Sequence, residues 1–374
     1  MGATYDIAVA GAGIVGTACA AECAAAGLKV VVVEPGPIGG GATAAGMGHI
    51  VVMDDSPAQM AITRYSRALW TELRSELPAG VECLACGSIW VAADEEEMAQ
   101  AACKKRLYDE IQVPSELLGP RELAAAEPHL RPGLPGGLLV PGDLVVYAPC
   151  AARYLMDRAR ARGAVLHTAE AAQLCGTGIK LGDGTFLEAG ITVNATGAWA
   201  PLLTPGVNVR KRKGHLVITE RYPGFVRHQL LELGYLKSAH SAAADSVAFN
   251  VQPRRTGQLL IGSSRQFGVD HPAIDAPILG RMLRRAWEYM PGLAGLLAIR
   301  AWTGFRAATP DNLPLIGPCP EDQRLFLATG HEGLGIATSL ATARLVADRL
   351  LRRPSAIPIE PYLPGRHFEE APHV

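Results

Sequence analysis

The chain has 374 residues, 49% of them hydrophobic and 41 of them glycine, with a formal net charge of −1 at pH 7. That length exceeds one simple core and suggests two domains, and the near-neutral charge gives no electrostatic reason to expect nucleic acid or an anionic membrane as partner. No apolar run reaches the ~18–20 residues of a membrane span, no cleavable signal precedes the first strand, and the eight scattered cysteines read as reduced thiols, so the expected location is the cytoplasm.

The first element is the strand Tyr5-Asp6-Ile7-Ala8-Val9-Ala10. Gly11-Ala12-Gly13-Ile14-Val15-Gly16 follows and opens an Ala-rich helix, then the strand Val30-Val31-Val32-Val33 ends at Glu34. This is a βαβ dinucleotide-binding fingerprint. Gly11 permits the tight turn, Gly13 lets backbone approach a pyrophosphate, and Gly16 allows close helix–strand packing. Phosphates favour the unpaired N–H groups of the helix start, and Glu34 stands where a carboxylate accepts from ribose hydroxyls. The fingerprint alone does not choose between FAD and NAD. Cys19 and Cys23, four apart on the helix, read as small core residues.

Cys83-Leu84-Ala85-Cys86 is a CxxC without the second pair that zinc requires and without the helix start of a redox dithiol, so a structural role is expected and no metal site. Asp94-Glu95-Glu96-Glu97 reads as a solvated helix start. A helix is expected over 151–163 and a strand over 164–167. A hairpin turns at Gly182-Asp183-Gly184, with Asp-Gly in a two-residue turn. Ile191 to Gly197 is a strand running into a glycine turn. Strands are expected over 214–218, 246–251 and 258–262, a helix over 276–290, a strand over 325–330 and a long helix over 335–351. The βαβ pattern thus returns in the middle and at the end. The expected fold is α/β: a discontinuous Rossmann-like nucleotide domain (1–85, 145–213 and 301–374) with an inserted antiparallel sheet plus helices as substrate domain (86–144 and 214–300).

Four further segments bear on the cofactor. They are Gly39 to Met47, Val193-Asn194-Ala195-Thr196-Gly197-Ala198-Trp199, Gly304-Phe305-Arg306 with Leu313 to Gly317, and Ala328 to Gly335. In this order, over nearly the whole chain, they resemble the D-amino-acid oxidase superfamily of FAD enzymes, which includes glycine oxidase and the sarcosine oxidases. The resemblance implies FAD. Gly11, Gly13, Ile14, Val15, Gly16, Glu34 and Pro35 would hold its adenosine diphosphate end. Gly41, Ala42, Thr43, Ala45, Gly46 and Met47 would wrap the pyrophosphate and flavin edge, and Ala195, Thr196, Gly197, Trp199 and Gly304 would lie beside the same cofactor. Gly330, His331, Glu332, Gly333, Leu334, Gly335 and Ile336 would offer consecutive N–H groups to the flavin. Sarcosine oxidases attach the flavin through a cysteine in the stretch that here reads Trp302-Thr303-Gly304-Phe305-Arg306, so the FAD is expected without a covalent bond.

The resemblance also implies that Arg306 clamps an amino-acid carboxylate, which its planar fork suits. Pairing with a structural carboxylate such as Asp311 is the alternative. His49 and Tyr147 are polar groups within the motifs that would reach the substrate ring or hydroxyl, or else serve as structural hydrogen-bond partners. Residues 45–59, Asp143 to Cys150, Asn250 to Arg254 and Ile261 to Gln266 look like bacterial D-hydroxyproline dehydrogenases, with parts shared by opine oxidase and cyanide-forming glycine dehydrogenase subunits. Arg265 stands where glycine oxidases often carry an acid. The implied reaction is hydride transfer from the Cα of a neutral D-hydroxyproline or D-proline to flavin N5, leaving an imine. Two rivals stay open: an oxidase of glycine, sarcosine or another D-amino acid that uses oxygen, and a flavin subunit of a hetero-oligomer that is inert alone. Oxygen, a quinone or a partner subunit would take the electrons, and homo- or hetero-oligomers remain open. An NAD-dependent dehydrogenase would want a second GxGxxG, which the chain lacks.

Overall fold

In the computed structural model, which describes residues 4–234 and 245–368, β1 (Tyr5–Ala10), α1 (Ile14–Ala25) and β2 (Val30–Val33) form the opening βαβ unit. Helix α2 (Ala148–Arg160) and strands β3 (Val165–His167) and β4 (Phe186–Asn194) follow much later, and β5 (Leu315–Pro318), β6 (Leu325–Thr329) and α3 (Gly335–Leu350) come last. The strands lie in the order β5-β6-β4-β1-β2-β3. β1 pairs in parallel with β2 and β4, β4 with β6 and β2 with β3, and β5 is an antiparallel edge. A parallel sheet needs both faces covered, which is why Val30 to Val33 are all buried. Helices α2 and α3 pack on α1. The buried residues of α1 include Ala18, Ala20, Ala24, Cys19 and Cys23, side chains short enough to let helix axes approach closely.

The described residues divide into two units, one of residues 4–81, 147–211 and 305–368, the other of residues 82–146, 212–234 and 245–304. The first contains the parallel sheet. Within it β1, β4 and β6 all end at the same edge, so the turns after Ala10, Asn194 and Thr329 converge, and open α/β sheets bind ligands outside such carboxyl ends.

The second unit has an eight-stranded sheet in the order Ala298–Ala308, Arg210–Arg221, Gln258–Arg265, Ser246–Pro253, Gln229–Glu232, Ser88–Ala92, Gly136–Val140, Glu116–Leu118. It is not purely antiparallel: Gln229–Glu232 runs parallel to Ser88–Ala92, because these strands come from separate chain segments and no hairpin joins them. Helix Ala276–Tyr289 packs on one face, where Met282, Ala286 and Tyr289 meet Phe249, Val251 and Ile261. Tyr289 stacks on Phe249 at 4.4 Å.

Two local expectations shift. The mid-chain helix begins at Ala148 and ends at Arg160, since Pro149 in its first turn is already set for helix and Gly163, at φ 87°, lies past its end. The hairpin turn spans Gly182 to Thr185; only Gly184 takes positive φ, and Asp183 instead accepts the Thr185 N–H at 2.9 Å. Among the described residues no helix is long and apolar enough to cross a membrane.

Candidate active site

Gly11 sits at φ 100°, and a Cβ there would lie 2.7 Å from the Ala195 carbonyl oxygen. On Gly16 a Cβ would fall 1.9 Å from the Gly11 oxygen. Both positions admit only hydrogen, so the first turn locks onto the end of β4. Gly13 differs, since the nearest atom to its would-be Cβ is Thr43 Oγ1 at 3.4 Å. As N-cap of α1 it makes no side-chain cap, and the first turn has no acidic residue. The first N–H groups of a helix lack intrahelical acceptors. Here Thr43 Oγ1 accepts one, from Ile14 at 3.0 Å. Glu34 Oε2 accepts from Ala12 N–H at 2.8 Å and Oε1 from Gly36 N–H at 2.9 Å. Each oxygen keeps a further lone pair, and the two bonds fix the carboxylate beside the turn.

The 39–47 loop bridges two helix starts. Gly39 donates to Ala12 O at 2.8 Å, Thr43 is buried against α1, and a Cβ on Gly46 would lie 2.7 Å from Ile336 Cδ1 on α3. Around Gly41 the space is open, with no atom within 4 Å of a would-be Cβ. Pro35 and Ala42 are exposed, Ala45 and Met47 half-buried.

Asn194 organises the turn after β4. Its Nδ2 donates to Thr204 Oγ1 at 2.9 Å and Ala200 O at 3.2 Å, and its Oδ1 accepts from the Thr196 hydroxyl at 2.7 Å and N–H at 3.2 Å. Thr329 Oγ1 donates to Gly197 O at 2.9 Å, tying this turn to the end of β6. The sequence motif puts Asn194 at the end of a central strand beside the cofactor but does not show these bonds. The Asn-x-Thr spacing, which lets an amide oxygen bond two residues on, was the available signal. Trp199 is exposed and sits edge-on to Phe305 at 6.2 Å, with the Lys211 ammonium 5.7 Å from both rings.

The last turn corrects one expectation. Gly330 to Gly335 does not present every N–H outward: Glu332 donates to Ala307 O at 2.8 Å and Leu334 to His331 O at 2.9 Å. The left-handed backbone at Gly330 (φ 77°) and Glu332 (φ 51°) folds those two groups inward. The start of α3, at Gly335 and Ile336, still faces the first turn of α1, with the would-be Cβ of Gly335 3.9 Å from Val15 Cγ2. His331 is buried, its Nε2 3.0 Å from Thr342 Oγ1, and burial holds its pKa down at about 3. Arg306 lies against this turn: Nε and Cδ are 3.3 and 3.5 Å from the would-be Cβ of exposed Gly333. Arg366 donates to both carboxylate oxygens of Asp311, at 2.7 and 2.9 Å.

His49 is half-buried just past the glycine loop. Tyr147 is the N-cap residue of α2, with its N–H on Val81 O at 2.7 Å and its ring exposed. Gly304 belongs to the second unit, where it is half-buried. Cys83 and Cys86 are unbridged, and burial pushes the Cys86 thiol up to about 12, which disfavours its thiolate form. In the same unit Gln229 and Asn250 are buried on the sheet face opposite helix Ala276–Tyr289. Neither amide atom of Gln229 nor Asn250 Oδ1 has a hydrogen-bond partner among the described residues. Such groups cost about 1–3 kcal/mol unless water or a ligand satisfies them.

The first unit's residues fit a dinucleotide: a carboxylate braced by two backbone bonds, a helix start whose N-cap residue offers no side-chain cap, a second helix start beside it, and open space at Gly41. Residues 6–349 match the family model described as FAD dependent oxidoreductase, DAO. The chain is 29% identical to a glycine oxidase of Geobacillus kaustophilus, over 97% of each chain. The crystal structure of glycine oxidase from that organism superposes with a TM-score of 0.87 at 28% identity, covering 98% of this chain and 100% of the other. A D-amino acid dehydrogenase of Xanthobacter autotrophicus is 25% identical over 83% of this chain and 74% of its own. A match of this extent, on a site built this way, places the chain in the DAO family of FAD-dependent oxidoreductases.

Proposed function

We propose that this enzyme oxidises the Cα–N bond of a small cyclic D-amino acid, D-hydroxyproline or D-proline, to the imine. The observation that carries the reading is Arg306, whose Nε and Cδ pack on the turn at the start of α3. A guanidinium there binds the substrate carboxylate through two parallel charged bonds and orients the Cα–H. Bound FAD supplies the hydride acceptor. The substrate amine must be neutral, and no protein base is required.

FAD is held without a covalent bond. Residues 302–306 contain no cysteine, and Cys319 is buried with its thiol pushed up to about 12. Gly11 to Gly16 and Glu34 hold the adenosine diphosphate end, the 39–47 loop and Ala195 to Gly197 the middle, and the turn at Gly330 to Ile336 the flavin. The second unit is the substrate domain. His49 and Tyr147 contribute polar groups toward the substrate. Oxidation of glycine or sarcosine is the second reading, favoured by the 29% identity to a glycine oxidase.

Anaerobic bleaching of the flavin by D- and L-amino acids tests this. D-hydroxyproline or D-proline should bleach it fastest; faster bleaching by glycine or sarcosine would favour the second reading. Dye-linked against oxygen-linked turnover of the single chain then identifies the acceptor and exposes any need for partner subunits. Arg306→Lys should keep its FAD while kcat/KM falls roughly 10–100-fold, since an ammonium loses the planar fork. Unchanged kcat/KM would remove Arg306 from the carboxylate.

A further inference from the structure

Among the described residues, the side-chain hydrogen bond of His331 runs away from the dinucleotide turn. Nε2 reaches the hydroxyl of Thr342, seven residues into α3, and both side chains are buried. The turn it belongs to is pinned elsewhere as well. Glu332 N–H is on Ala307 O, the Thr329 hydroxyl on Gly197 O, and Leu334 N–H on His331 O. Two consecutive excursions into left-handed backbone, at Gly330 and Glu332, need such pins, because a non-glycine residue pays for positive φ. The same turn delivers Gly335 and Ile336 to Val15 and Gly46, the residues that flank the cofactor cradle. A rotation of the turn therefore moves the start of α3 relative to the start of α1.

We infer that His331 and Thr342 form a positioning pair: their hydrogen bond sets where the N–H groups at the start of α3 stand, and so sets both FAD affinity and the electron affinity of the bound flavin. Neither side chain needs to touch the cofactor. Reduction adds negative charge to a flavin, and a helix N-terminus stabilises that charge only within about its first turn, so misplacing it weakens the reduced complex more than the oxidised one. The pair acts on the cofactor alone and rests on membership of the FAD family, not on the amino-acid reading.

The test uses Thr342→Val, which keeps the shape and deletes the hydroxyl, beside Thr342→Ser, which restores it. His331→Leu and His331→Gln form the matching set, since a glutamine amide can take the place of Nε2. FAD dissociation constants of deflavinated protein and flavin midpoint potentials are the readouts, and neither involves an amino acid. Thr342→Val and His331→Leu should bind FAD about tenfold or more weakly, with a more negative potential. Thr342→Ser and His331→Gln should return both to within about threefold of the parent. A lower Tm with unchanged FAD affinity and potential would mean a purely structural bond and would overturn the inference, as would failure of serine to rescue.

Discussion

Arg366 grips Asp311 through two near-parallel bonds, Nε to Oδ2 at 2.7 Å and Nη2 to Oδ1 at 2.9 Å, with both side chains about nine-tenths buried. The remaining donors go to the carbonyls of Leu313, Pro314 and Leu363, so one guanidinium staples the chain after Arg306 to residues near 363. This is a structural ion pair five residues from a proposed substrate ion. Arg366→Ala strips the partner from a largely buried carboxylate and should cost about 3 kcal/mol in chemical unfolding. Its KM for the amino-acid substrate, measured on folded protein, should stay within about twofold, because the substrate carboxylate is assigned to another arginine. A large KM increase with little change in stability would reverse the two roles.

The glycines of the first turn do two jobs that mutation can separate. A Cβ on Gly16 meets backbone oxygen at 1.9 Å, and backbone cannot step aside as a flexible side chain can. Gly16→Ala should therefore lose well over 3 kcal/mol and purify without FAD, if soluble at all. Thr43 caps α1 from the neighbouring loop, so Thr43→Val removes the acceptor for the Ile14 N–H with little change in volume. That change should cost about 1 kcal/mol of stability and weaken FAD binding by roughly tenfold while the fold persists. Equal FAD affinity in parent and Thr43→Val would show that the loop is held without this bond.

Much of this arrangement could be read in the chain because the chemistry leaves local marks. The Gly11 to Gly16 spacing, the four-valine strand and the acid at Glu34 are all contiguous, and their roles follow from backbone sterics within one βαβ unit. What stayed hidden depends on long-range pairing. Nothing near Asp311 announces Arg366, 55 residues on, and the Thr342 hydroxyl reads as an ordinary helical threonine. The parallel pairing of Gln229–Glu232 with Ser88–Ala92 joins two segments far apart in sequence, so alternation within each strand could not reveal its direction. Glu332 in left-handed backbone was equally unreadable, because the bond from its N–H to the Ala307 carbonyl joins it to a strand 25 residues earlier.

Burial holds the pKa of His331 down at about 3, whereas an unfolded chain would titrate it near 6.5. Below pH 6.5 the unfolded state therefore takes up a proton that the folded state refuses. The stability from keeping this imidazole neutral is complete above about pH 6.5 and is lost as pH falls toward 3. Each pH unit inside that window is worth about 1.4 kcal/mol, so roughly 2 kcal/mol should disappear between pH 7.5 and pH 5. Other groups titrate over the same range, and comparison with His331→Gln cancels them. Urea unfolding at the two pH values should show the parent losing about 2 kcal/mol more than the glutamine variant. Parallel losses would mean that the folded protein protonates His331 at its ordinary pKa and that the imidazole is not shut away from water.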